Sequence, residues 1–348
     1  MNNRFAGSKF MLFLLIWYVV IVILLQFTLI ALHEAAGVNT DALVSSPWFI
    51  IVLQLISLML PMAIWMIIKR EKLSLPTTAL GGKNFILIIA LSFLMQPVMM
   101  TIAGISTMFT TNYVSEMIYR FMAYPFIFIL LATAVTPAIV EELVFRGYMQ
   151  QAQYQGGGSF KKIALLNGLF FGIIHLNLNQ FVYAFVMGVV FAYMVHYTRS
   201  IWAGILSHFI VNASQGAIGR WAFSAQENAY YTEDIFYNLP ISTEALAIII
   251  FGIISICLLP VIIILFREFF KHNEWRVDII TPVSDSKQDD YMHGYSGFSS
   301  GQDDTTYVAH QNFSQMPPPT KPSKIDPYAI AVVIIFIIIV VLFAFIPS

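Results

Sequence analysis

Two adjacent carboxylates, Glu141 and Glu142, stand at the end of a long apolar run that begins at Phe121. An ionised carboxylate at membrane depth costs roughly 3 kcal/mol or more, so acidic residues there are usually paired, face a cavity and serve a function. Helical spacing gives the two glutamates different jobs. Glu142 and Arg146 are four apart and share a face, so they can pair. Glu141 and Arg146 are five apart, roughly 140° around the axis. Glu141 is therefore aimed elsewhere and is free to exchange a proton as a general base does. Pro137, four residues before Glu141, removes a backbone hydrogen bond and is expected to kink the helix beside it.

Of the seven histidines, His175 and His208 lie deep within apolar stretches, and His196 lies near a boundary. Asn167, Phe171 and His175 recur every four residues and read as one helix stripe, and His208 and Asn212 repeat that spacing further on. At 1.5 Å per residue, Glu141 is roughly 20 Å in from Tyr154 and His175 about 20 Å in from Lys162. Taken singly, each residue has an ordinary reading: an ion pair at a helix end, a satisfied core histidine, an amide joining two helices. Taken together, a glutamate, two histidines and an asparagine in hydrocarbon are what water activation and oxyanion stabilisation require. Ser207 and Ser214 lie close by without a nucleophile signature. Glu141, His175 and His208 could instead supply three zinc ligands and an open position. The His-Glu-x-x-His spacing of a zinc peptidase helix is absent, and metal-free chemistry is the preferred reading, with no cofactor.

The elements that must position these groups are membrane helices. The 348 residues are 58% hydrophobic and 11% charged, with mean hydropathy +0.76, where a soluble domain carries about 25% charged residues. That composition excludes a soluble enzyme, and the net charge of -1 without a basic stripe gives no sign of a nucleic-acid partner. Cys257 is the single cysteine; it cannot form an intrachain disulfide and reads as buried packing. At about 20 apolar residues per span, about nine segments are expected: 10–32, 48–68, 85–106, 121–149, 162–178, 180–197, 201–217, 244–266 and 328–346. The first reads as a retained anchor rather than a signal peptide.

Lys and Arg cluster at one set of span ends, among them Arg4, Lys9, Lys69, Arg70, Lys72, Lys83, Lys161, Lys162, Arg199, Arg267 and Lys271. This predicts a cytoplasmic N-terminus in a multi-pass plasma-membrane protein, and the short polar loops suggest a bacterial one. The expected fold is an all-α polytopic bundle over residues 1–271, with the motifs in 121–217. Residues 272–327 are polar and proline-containing and are expected to be a disordered cytoplasmic linker. Residues 328–348 then form a single-span anchor, read as a simple tether. A membrane-protein partner reached through the linker and anchor is the alternative. No internal repeat supports an inverted-repeat transporter, although proton relay by membrane carboxylates and histidines stays open.

Glu141-Glu142-x-x-x-Arg146, then Phe171-x-x-x-His175, then His208-x-x-x-Asn212 resembles the CPBP family, which comprises CAAX prenyl endopeptidases and bacteriocin-processing or immunity (Abi) proteins. The resemblance covers roughly residues 85–217. It implies an intramembrane endopeptidase acting on a membrane-associated protein or peptide. On that resemblance Glu141 would activate water with help from His175, and His208 and Asn212 would form the oxyanion hole. Glu142, Arg146 and Phe171 would support them. Asn179 is also four residues after His175, so that motif carries its own His-x-x-x-Asn; Asn212 is preferred because it lies on a separate helix. A non-catalytic immunity or scaffold protein of the same fold is the competing reading.

Overall fold

The computed structural model describes residues 5–110, 120–121, 124–156, 159–229, 242–278 and 325–344. Among these residues the chain is all helical apart from a single bridge between Thr77 and Ser200. The helices are α1 (Ala6–Ala36), α2 (Pro47–Lys69), α3 (Gly82–Thr107), α4 (Phe126–Gln155), α5 (Phe160–Ile173), α6 (Leu178–Thr198), α7 (Ile201–Ala229), α8 (Thr243–Asp278) and α9 (Pro327–Ala344). A short helix, Thr40–Val44, lies between α1 and α2.

Six of these helices are long and apolar enough to cross a membrane: α1, α2, α3, α4, α6 and all but the ends of α8. Their outer faces carry bare aliphatic side chains such as Ile256 and Ile264 on α8, which are 72% and 61% exposed. In water such faces would be an aggregation hazard; in a bilayer they meet acyl chains. This is a multi-pass helical membrane protein. The other three expected segments correspond to α5, with only 14 residues, to the first part of the more polar α7, and to α9.

Two apolar clusters build the bundle. One joins α1, α2, α4, α5 and α9 through residues such as Phe10, Leu14, Met62, Phe145 and Phe171. The other joins α3, α6, α7 and α8 through Leu91, Met99, Phe191, Val211 and Phe269. The α5–α6 hairpin is the tightest crossing. A Cβ on Gly188 would lie 2.8 Å from the Gly168 Cα, and one on Gly168 would lie 2.7 Å from the Phe185 carbonyl oxygen. Backbone thus meets backbone, as in other small-residue crossings between membrane helices.

Prolines interrupt α2 and α4 in the same setting. Each follows a π-helical stretch: Leu55–Met59 before Pro61, and Leu131–Val135 before Pro137. A proline donates no hydrogen bond and leaves a carbonyl one turn back unpaired. In lipid that carbonyl needs a protein donor. The Trp17 indole Nε1 supplies one to Ile56 O at 3.0 Å.

Four expectations change. α5 stops at Ile173, so His175 sits in the turn before α6 rather than on the helical stripe of Asn167 and Phe171. α8 continues to Asp278, so residues 272–278 are helix and not linker. It continues because its last turns are tied to the core. Asn273 and Asn84 exchange hydrogen bonds at 2.7 and 2.9 Å, and Arg276 Nη1 donates to Thr198 O at 2.7 Å. The rest of the expected linker up to 324 lies outside the described residues. Cys257 is exposed on the outer face of α8 and is not core packing. Finally, α9 is no free tether: Ala329, Val332 and Phe336 are buried within the first cluster.

Gly188→Ala is expected to push the hairpin apart and destabilise the protein by about 1–3 kcal/mol, as overpacking does. Gly82→Ala, with nothing within 4 Å of an added Cβ, should change little. Thermal unfolding of the two variants in detergent checks this; equal midpoints would contradict the close crossing.

Candidate active site

Glu141 and Glu142 end an α-helical turn, Thr136–Glu142, held between two π stretches of α4, Leu131–Val135 and Leu143–Met149. π-bulges shift side-chain register and often mark functional sites. Carbonyls within them accept from side chains of other helices. Gln54 Nε2 donates to Ala132 O at 3.0 Å and Asn212 Nδ2 to Thr133 O at 3.1 Å. Asn167 Nδ2 donates to Phe145 O at 3.0 Å. Pro137 has no N–H to give, and in the five-residue register of this stretch, where the Thr136 N–H reaches Leu131 O, the carbonyl it leaves without a backbone donor is that of Ala132, the one Gln54 meets.

Glu142 and Arg146 are both fully buried, and Arg146 Nη1 donates to Glu142 Oε1 at 2.7 Å, as their spacing predicts. Arg146 Nη2 donates to Gly188 O at 2.9 Å, a carbonyl made reachable by the glycine crossing. The guanidinium lies 4.5 Å from the Phe171 ring centroid and 5.3 Å from that of Phe191. Cation–π attraction is strongest for such a desolvated cation. Glu142 Oε2 packs against Gly204, where any Cβ would collide with it.

The pair also orients His208. His208 Nδ1 lies 3.1 Å from Glu142 Oε1, and because a carboxylate only accepts, Nδ1–H is the donor. The Phe191 ring stacks on the imidazole at 5.0 Å and 21°. His208 Nε2 is thereby turned toward Glu141, 3.9 Å from Oε2. His175 Nδ1 donates to Phe171 O at 2.7 Å, which leaves Nε2 as the ring nitrogen not committed to the backbone. His175 belongs to a constrained turn, since Leu176 holds a left-handed backbone at φ 48°. Such a conformation in a branched residue costs on the order of 1–3 kcal/mol and persists only when its surroundings fix it.

Glu141, His175, His208 and Asn212 all line one cavity of about 180 Å³, together with Gln54, Thr133, Phe171, Tyr183, Phe191 and further residues of α6 and α7. That is room for several water molecules among polar partners. Glu142 and Arg146 lie behind the wall. Asn179 is buried and donates instead to Ala103 O at 3.3 Å, so of the two His-x-x-x-Asn pairs it is Asn212 that reaches the cavity. Among the described residues, no group of three His, Cys, Asp or Glu side chains is arranged to hold a metal ion. Sequence reasoning missed Phe191 and Gln54. An aromatic residue in an apolar helix carries no signal, but Gln54, a lone amide within α2, could have been noticed.

Arg146→Met leaves a buried carboxylate without its main partner and should cost about 3–5 kcal/mol. Adding Glu142→Gln should recover a large part of that loss. Thermal denaturation of the single and double variants is the measurement; additive losses would contradict the pairing.

The family model for the Rce1-like type II CAAX prenyl endopeptidases matches residues 122–214, the segment that carries Glu141, His175, His208 and Asn212. A relative in Bacillus subtilis (strain 168), named "Putative membrane peptidase YdiL", is 31% identical over 83 residues. That alignment covers 24% of this chain and 34% of the relative, so the chain spans about a third of the length of the protein it matches. No solved structure gives a significant match. Residues 122–214 are therefore similar to the CAAX-type membrane endopeptidases, and both matches support a CPBP assignment for this segment.

Proposed function

We propose that the protein is an intramembrane endopeptidase that hydrolyses a peptide bond of a membrane-associated protein or peptide with a glutamate-activated water. The observation that carries this reading is the meeting of Glu141, His175, His208 and Asn212 at one cavity inside an apolar bundle. A water between Glu141 and His175 Nε2 gives a proton to the Glu141 carboxylate as its oxygen attacks the scissile carbonyl carbon. The carbonyl π pair moves onto oxygen. His208, carrying both ring protons, donates from Nδ1 to Glu142 and from Nε2 to that oxyanion. Asn212 Nδ2 spends one N–H on Thr133 O and has a second for the same oxyanion. Collapse of the tetrahedral intermediate breaks the C–N bond, and the proton held by Glu141, relayed with His175, leaves on the amine. Positioned donors of this kind act strongly where bulk water is kept out.

Glu141→Gln removes the base and keeps the shape. Peptides recovered from membranes of cells carrying the wild type or Glu141→Gln should reveal products that depend on Glu141. The cleavage rate is expected to fall by roughly 10²–10⁴-fold, the usual share of general acid–base catalysis. Unchanged cleavage by Glu141→Gln would remove the assignment. Chelator treatment separates the zinc-dependent alternative: loss of activity restored by stoichiometric zinc would replace the metal-free mechanism.

The lysines and arginines at one set of helix ends, including Lys69, Lys83 and Arg199, support placing those ends and the N-terminus in the cytoplasm of a bacterial cell. Single cysteines replacing Lys72 and Lys161, in a Cys257→Ala background, should react with a membrane-impermeant maleimide only after the cells are opened. Labelling of intact cells would reverse the orientation.

A further inference from the structure

We propose that α9 is a positioning element for the site, with Phe336 as the residue that holds the His175 turn in place. This rests on the peptidase reading and extends it to a part of the chain outside the matched segment.

A helix that only anchors a tether needs no dedicated protein-facing side. α9 has one: Ala329, Val332 and Phe336 fall on a single stripe and are 8%, 0% and 7% exposed. Its other side is bare, with Ile334, Ile337 and Ile338 all about half exposed. A polar latch fixes its first turn. Asp326 Oδ1 accepts from the backbone N–H of Tyr328 and Ala329, while Oδ2 accepts from Ser8 Oγ at 2.5 Å. Lys9 Nζ sits 5.2 Å above the Tyr328 ring. Helix depth and rotation are therefore both set.

The contact that this placement creates leads to the site. The Phe336 ring stacks on Phe181 at 5.1 Å. Phe181 is backed by Gly172, where an added Cβ would meet the Phe181 ring and its carbonyl oxygen at 2.9 Å. The Gly172 carbonyl in turn accepts the His175 backbone N–H at 3.3 Å. Leu176, in its left-handed conformation, packs against the same apolar cluster as Phe336. A turn of this kind is kept by its neighbours rather than by its own preference. Phe336, Phe181 and Gly172 form a continuous row of packed atoms ending at His175, which lines the cavity.

The test compares Phe336→Ala with Ile337→Ala, a lipid-facing control one residue away, both as full-length protein in lipid nanodiscs. Amide hydrogen exchange of the segment 174–178 is the first readout. Phe336→Ala should raise it at least tenfold, Phe336→Leu should restore most of the protection, and Ile337→Ala should match the wild type. Cleavage of a Glu141-dependent substrate is the second. Phe336→Ala should lower kcat at least tenfold with KM within twofold. Unchanged exchange at 174–178 in Phe336→Ala overturns the proposal, as does unchanged kcat in a protein whose cleavage requires Glu141. If Phe336→Ala does not insert, Phe181→Leu replaces it in both readouts. If the wild type cleaves nothing, the peptidase reading fails by itself, and exchange still decides whether α9 holds the turn.

Discussion

A charged pair sealed inside an apolar bundle is the constraint around which the rest is arranged. Arg146 and Glu142 are fully buried, and neither charge could remain there without the other. Each of their further partners is specific. The Gly188 carbonyl is reachable because two glycines let α5 and α6 touch, Gly204 leaves space for the second carboxylate oxygen, and Phe171 and Phe191 cover the guanidinium faces. The same carboxylate takes the His208 Nδ1–H, so the pair that holds α4 against α6 also settles which nitrogen of His208 looks into the cavity. Stability and chemistry therefore draw on one set of contacts, and a change to the pair acts on both.

The π stretches of α2 and α4 serve the same end. In lipid a carbonyl left by a proline needs a protein donor, and before Pro61 and Pro137 such donors come from other helices. At Pro137 those donors are Gln54 and Asn212, and both line the cavity. The π stretch beside Glu141 is thus met by residues that also form the cavity wall. Asn212 has two roles in this account, as a backbone donor and as a donor to an oxyanion, and its two N–H groups suffice for both.

Much of this was legible in the sequence because helical geometry is local. Spacing of four predicted the Glu142–Arg146 pair, spacing of five turned Glu141 away from it, and apolar run lengths located the long helices. What spacing could not supply was the third dimension. Asn167, Phe171 and His175 read as one stripe, yet the helix ends before His175, and a side-chain bond back to the Phe171 carbonyl holds the imidazole where a further helical turn would have been. The packing role of Phe191 and the docking of α9 depend on contacts between residues far apart in the chain, and an Ile/Val-rich helix looks alike whether it lies in lipid or against protein. The three π stretches leave no compositional mark either, beyond the two prolines that follow them.

The central claim is that a water held by Glu141 and His175 attacks a carbonyl whose oxygen is received by His208 and Asn212. An experimental structure of the protein with a non-hydrolysable phosphinic peptide, whose two oxygens stand for the attacking water and the oxyanion, tests this most directly. The account predicts one oxygen within hydrogen-bond reach of Glu141 and His175 Nε2, and the other within reach of His208 Nε2 and Asn212 Nδ2. A phosphinate bound outside the cavity, or one held there by a metal ion in place of these side chains, would contradict it.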